Sequence, residues 1–331
     1  MAWTVREGVR LYYERGGAPP LSAAAPLSTT TPIAAPVRGV PISADDAPAR
    51  DRDLRAADVS DTARPRLLVI SGTGGDLRVR PNVFDWPLCA SFEVVAYDQR
   101  GLGRSDRPQI AYTMADYADD AAAVLDAVGW ERAAVLGVSF GGMVAQELAL
   151  QHPERVEQLV LSCTSSGGRG GASYPLHELA ELAADERMDR MMGITDTRWV
   201  DATFTDPFRE MMLAARRSAP PADDGALRQL EARRQHDTWE RLSAIACPVL
   251  VCCGRYDAIA PPANSEALAR QIPGARLELF EGGHLFMAQD RRAFAVMTEF
   301  LTGTGPTTGT GPTTGTGPTD ETVGPDLAIE R

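Results

Sequence analysis

The feature that most constrains this chain is a series of short, unbroken apolar runs, each ending in turn residues and separated by helical stretches. Leu67-Leu68-Val69-Ile70 leads into Ser71-Gly72-Thr73-Gly74-Gly75, and Phe92 to Tyr97 leads into Asp98-Gln99-Arg100-Gly101. Ala133 to Val138, Gln158 to Ser162, Pro248 to Cys253 and Ala275 to Phe280 continue the series. A strand wetted on one face alternates apolar and polar residues, whereas a continuous apolar run needs cover on both faces. The runs therefore predict an α/β fold, with a mostly parallel central sheet and helices on both faces. Thr113 and Asp116 form a capping-box pattern opening a helix to about Val128. Phe140 to Gln151 forms the next helix, stopped by His152-Pro153, and Arg291 to Leu301 closes the series.

The rhythm breaks across 165–241, which is helical in character and has no convincing strand. This stretch predicts a helical cap over the edge of the sheet. Its Met188, Met191, Met192, Met211 and Met212, with Trp199, suit either an adaptable apolar pocket or ordinary helix packing. Residues 17–65, rich in Ala, Pro, Thr, Asp and Arg without apolar periodicity, read as a disordered insertion. From Thr302 the hexapeptide TGTGPT occurs three times, and 302–331 reads as a disordered tail. The expected division is N-terminal core strand or strands at 1–16, insertion at 17–65, first half of the core at 66–164, cap at 165–241, second half of the core at 242–301, and tail.

Composition narrows the function. A net charge of −12 argues against nucleic acid or an anionic membrane surface as partner. All 33 basic residues are Arg, scattered without a basic stripe, which fits codon bias. Cys89, Cys163, Cys247, Cys252 and Cys253 show no CxxC spacing, so neither a disulfide framework nor a zinc site is expected. They suit buried small side chains in a reducing compartment. Met1 to Tyr13 carries two Arg and one Glu, unlike a signal peptide, and no apolar run nears the ~20 residues of a membrane span. A soluble, cytoplasmic protein is expected.

Gly137-Val138-Ser139-Phe140-Gly141 fits GxSxG. Five residues alone carry little information, but these follow an apolar strand and open a helix, the strand–turn–helix setting of a nucleophile elbow. That turn strains the serine backbone and requires small neighbours two residues away, which Gly137 and Gly141 supply. The helix beginning after Ser139 would aim its positive end at a developing oxyanion. Gly72-Thr73-Gly74-Gly75 does not read as a nucleotide loop, because position 77 is Leu and no Gly-Lys-Ser/Thr follows.

With these residues in place, 66–301 and the strand at Val9 to Tyr13 resemble the α/β-hydrolase superfamily. The order of parts is the same: glycine turn, Asp98-Gln99-Arg100-Gly101, elbow, cap, acid, histidine. Gly137-Val138-Ser139-Phe140-Gly141-Gly142-Met143 is similar to the esterase, enol-lactonase and non-haem perhydrolase branches. The 17–65 insertion departs from the family pattern, which joins strand and glycine turn directly. Such an insertion is expected to loop out at the surface.

Four histidines are present. His152 sits at a helix end before Pro153, and His177 and His236 flank the cap, where exposure is expected although either suits a pocket wall. His284 follows a strand and Gly282-Gly283, in a loop at a strand's carboxyl end, and is the expected base. Asp257, just past the preceding strand, completes the order Ser…Asp…His as the acid. No carboxylate lies in Ser162-Cys163-Thr164-Ser165, and Glu281 is too near His284 in the chain to reach its ring. The resemblance implies an oxyanion hole made by the N–H of Phe140 and that of Thr73, although Ser71-Gly72 stands where many relatives have His-Gly.

The expected reaction is acyl transfer through Ser139 to water, on a small, largely apolar ester or lactone. A carbon–carbon bond or a peroxyacid precursor is an alternative target, and a non-catalytic ligand receptor or a transferase or lyase is an alternative use of the fold. An elbow aspartate is absent, which disfavours haloalkane dehalogenase and epoxide hydrolase chemistry. No metal and no organic cofactor is implied, and the oligomeric state is open.

Overall fold

The computed structural model describes residues 2–17, 64–201, 203–217 and 223–303. Most of the expected disordered insertion and repeat tail lies outside the described residues. The apolar runs become strands β3 (Arg66–Ile70), β4 (Glu93–Tyr97), β5 (Ala133–Val138), β6 (Val156–Ser162), β7 (Val249–Gly254) and β8 (Arg276–Phe280). Ahead of them lies a hairpin, β1 (Ala2–Arg6) and β2 (Val9–Gly16). The eight strands form one sheet in the order β1-β2-β4-β3-β5-β6-β7-β8. β1, β2 and β4 pair antiparallel, and from β4 through β8 every pairing is parallel.

The period of two divides each run between two cores. Leu68, Ile70, Val95, Val135, Leu159 and Val251 face helices α1 (Met114–Ala127), α2 (Phe140–Gln151) and α6 (Pro262–Gln271). Leu67, Val69, Val94, Leu136, Val160 and Leu250 face Phe286 of α7 (Phe286–Gln289) and α8 (Arg292–Thr302). Each such side chain, removed from water, contributes about 1.5–3 kcal/mol. Thr113 caps α1 as its pattern predicts, with reciprocal Thr113–Asp116 hydrogen bonds. After β4, the Asp98 carboxylate accepts the N–H groups of Leu77 and Arg104 at 2.7 and 2.9 Å. Arg100 forks onto the buried Asp120 at 2.6 and 2.7 Å, which ties that loop to α1.

Between β6 and β7 the described residues hold no strand, only short 3₁₀ turns and helices α3 (Ala184–Thr195), α4 (Pro207–Arg217) and α5 (Asp224–Arg234). α5 crosses the carboxyl ends of the central strands. A Cβ on its Gly225 would meet the Gly101 Cα, past β4, at 2.8 Å. Its Gln229 accepts the N–H of Gly74, past β3, at 2.9 Å. Just beyond the helix, the Thr238 N–H reaches the carbonyl of Ser166, past β6, at 2.8 Å.

Candidate active site

Ser139 sits at the turn between β5 and α2 with φ 55° and ψ −115°. A β-carbon makes this backbone unfavourable, so the turn persists only because its surroundings hold it. Its N–H donates to the Ser162 carbonyl at 2.8 Å, and its own carbonyl accepts from Thr164 Oγ1 at 2.8 Å. The flanking glycines allow the crossing. A Cβ on Gly137 would meet the Ala145 Cβ at 2.7 Å, and one on Gly141 would meet the Ile70 carbonyl carbon at 2.6 Å.

The structure brings Ser139, His284 and Asp257 together from the ends of three strands. His284 Nε2 lies 3.0 Å from Ser139 Oγ, and His284 Nδ1 lies 2.7 Å from Asp257 Oδ2. The carboxylate can only accept, so Nδ1 carries the proton and Nε2 accepts from the serine hydroxyl. The other carboxylate oxygen of Asp257 accepts the N–H groups of Ile259 and Ala260 at 2.8 and 2.9 Å. Asp257 is buried, and these three hydrogen bonds hold its carboxylate oriented toward the His284 ring.

Phe140 begins α2, so its N–H is among the helix-terminal donors without an acceptor inside the helix. The glycine turn lies against Ser139: a Cβ on Gly72 would touch the Ser139 Cβ at 3.4 Å. Gly75 N–H closes this turn onto the Gly72 carbonyl at 3.1 Å, and Gly74 is held by Gln229. Thr73 Oγ1 is buried there without a partner among the described residues.

The 165–241 segment grips the loops that carry Asp257 and His284, a connection the motifs did not signal. The Thr195 carbonyl at the end of α3 accepts the His284 N–H at 2.6 Å, and the Ile194 carbonyl accepts that of Ala258 at 3.0 Å. Gln289 bridges the same parts, accepting the Gly283 N–H at 2.9 Å and donating to the buried Asp196 at 2.9 Å.

The remaining histidines differ in setting. His152 Nε2 pairs with Asp119 at 2.8 Å, and His177 is half-buried. The expected exposure of His236 does not hold: it is buried beside a cavity of about 210 Å³ also lined by Thr113, Met114, Glu147, Gln235 and Arg241. Burial pushes its pKa down to about 4. Trp199 is buried with Nε1 on Asp206 at 2.9 Å, and of the cap methionines Met192 is buried while Met211 is exposed.

A family model described as alpha/beta hydrolase fold matches residues 65–195. The poly(3-hydroxyalkanoate) depolymerase of Ectopseudomonas oleovorans is 32% identical over 241 residues, covering 71% of this chain and 83% of its own. The chain belongs to the α/β-hydrolase family. This α/β-hydrolase is also 27% identical over 262 residues to 3-oxoadipate enol-lactonase 2 of Acinetobacter baylyi, covering 77% and 97% of the two chains. A solved hydrolase of Pseudomonas aeruginosa PA01 superposes with a TM-score of 0.65 at 25% identity, covering 91% of this chain and 98% of that one.

Proposed function

We propose that this α/β-hydrolase cleaves a carboxylic ester or lactone of a small, largely apolar substrate through an acyl-enzyme on Ser139. The carrying observation is the hydrogen-bonded series from Asp257 through His284 to Ser139. Ser139 Oγ attacks the substrate carbonyl while His284 Nε2 takes its proton, and Asp257 stabilises the imidazolium. The tetrahedral oxyanion accepts the N–H groups of Phe140 and Thr73. The ester bond breaks as His284 returns the proton to the leaving oxygen, and water, deprotonated by the same ring, then releases the acid. The segment 165–241 serves as the cap that bounds the substrate. The printed activities of the relatives, an enol-lactonase and a polyester depolymerase, agree with this class of bond.

A panel of p-nitrophenyl esters, lactones and enol-lactones tests the reading, with fluorophosphonate labelling as a second measure. Ser139→Ala is expected to lower kcat by about 10⁴-fold or more and to abolish labelling. Undiminished turnover in that variant overturns the assignment.

A further inference from the structure

Among the buried polar groups that this chemistry does not use, Arg233 of α5 stands apart. It is 6% exposed, and neither its Nε nor its Nη2 has a hydrogen-bond partner among the described residues. Only Nη1 is engaged, on the Tyr174 carbonyl at 2.7 Å. Elsewhere in this protein the same Nε/Nη2 edge grips a carboxylate: Arg100 on Asp120, Arg198 on Asp196 and Arg292 on Asp290. Burial pulls the Arg233 pKa down to about 10, which leaves it charged at neutral pH. A buried, unpaired cation is destabilising, so its retention points to a ligand.

Two sets of contacts bring Arg233 toward the strand end that carries Ser139. Along α5, Gln229 holds the turn past β3, and Thr238 beyond the helix holds the loop past β6. Between β3 and β6 lies β5, which ends at Ser139, and Arg233 falls between Gln229 and Thr238. From its other side, Arg233 donates to the Tyr174 carbonyl, Tyr174 N–H to the Ile259 carbonyl at 2.7 Å, and Ile259 N–H to Asp257.

The geometry points to Arg233 as a specificity residue that receives, through Nε and Nη2, a carboxylate carried by the substrate's otherwise apolar acyl or lactone part. This rests on the ester-hydrolase reading above and narrows its substrate class to small anionic esters or lactones. In a chain of net charge −12, a local cation shielded from water is what such a substrate requires.

The test compares p-nitrophenyl hydrogen glutarate with p-nitrophenyl valerate, an uncharged ester of equal acyl length. Arg233→Met is expected to lower the charged-to-neutral ratio of kcat/KM by about 100-fold, as loss of a charge-assisted bidentate pair predicts. Arg233→Lys recovers only part of the ratio, because an ammonium lacks the planar fork. Arg234→Met, one residue along and paired with Glu231 at the surface, leaves the ratio unchanged. Thermal melts separate this role from packing, since removing an unpaired buried charge is expected to hold or raise Tm. A ratio equal in wild type and Arg233→Met, or an equal loss on both esters with a fall in Tm, overturns the inference. Retained turnover of both esters by Ser139→Ala instead overturns the hydrolase reading itself.

Discussion

At the scale of the residue, Ser139 holds a backbone conformation whose cost fits its proposed role in the chemistry. Its backbone at φ 55° and ψ −115° is costly for a side chain bearing a β-carbon, on the order of 1–3 kcal/mol. Replacing it with glycine removes that strain along with the proposed nucleophile. Ser139→Gly is therefore expected to stabilise the fold by about 1 kcal/mol over Ser139→Ala while both are inactive, as urea denaturation can measure. His236 supplies a second residue-scale prediction. Its ring lies beside Glu147, Asp237 and Arg241, and burial outweighs the carboxylates to hold it neutral, with a pKa of about 4 against an ordinary 6.5. Between those values the unfolded chain binds a proton that the folded chain refuses. The stability is complete above about pH 6.5 and is lost as pH falls toward 4. Nearby Glu147, favoured as an anion by Arg241 and Gln151 despite its burial, also loses stability on acidification, so the wild-type slope is a sum. Urea melts at pH 7 and pH 4.5 should show that His236→Phe removes about 2–3 kcal/mol of the wild-type difference. Equal differences in the two proteins would exclude this origin.

At the scale of the element, the decisive contacts join the 165–241 segment to the loops that carry Asp257 and His284. Gln289 receives the Gly283 N–H beside the catalytic-histidine candidate and donates to Asp196 of the 165–241 segment. Gln289→Ala leaves both the N–H and a buried carboxylate oxygen without this partner. Each neutral bond is worth about 1 kcal/mol, so a loss of about 2 kcal/mol in stability and roughly tenfold in kcat is expected, with KM changed less. Calorimetry and steady-state kinetics check both, and an unaltered kcat would mean that the Thr195 carbonyl and Asp257 hold His284 without Gln289. No sequence pattern foretold this bridge, because Gln289 lies 93 positions from Asp196 and Gly283 takes part only through its backbone N–H. The strands, by contrast, were legible because burial on both faces leaves an unbroken apolar run, as in Leu67 to Ile70. β1 was not, because an edge strand keeps Trp3 and Val5 substantially exposed and alternates weakly. α6 is absent from the strand-and-helix series read from the sequence, although proline at its first helical position is favourable. Asp257 and His284 could be placed because each follows a legible strand, whereas Arg233 lies in a helix whose face only the fold defines.

At the scale of the whole molecule, the sheet places the two ends of residues 18–63 within short reach of each other. Gly16 of β2 pairs with Val94 of β4, and Arg66 of β3 pairs with Glu93 on its other edge. The two anchors therefore flank the same step of one strand and are separated by about two strand spacings, or ~10 Å. Four to six residues of extended chain span that distance easily. Because neither anchor belongs to the proposed triad, to α5 or to the 165–241 segment, the segment between them is expected to be dispensable for the chemistry. Replacing 18–63 with a Gly-Ser linker of four residues shortens the connection about sevenfold, which lowers the entropy lost on closing it by roughly 2 kcal/mol. The shortened protein is expected to keep kcat and KM on p-nitrophenyl esters within about twofold and to melt no lower than the full chain. A shortened protein that folds with the same melting temperature yet loses turnover would show instead that 18–63 takes part in the site, and a protein that no longer folds would show that it contributes to the core.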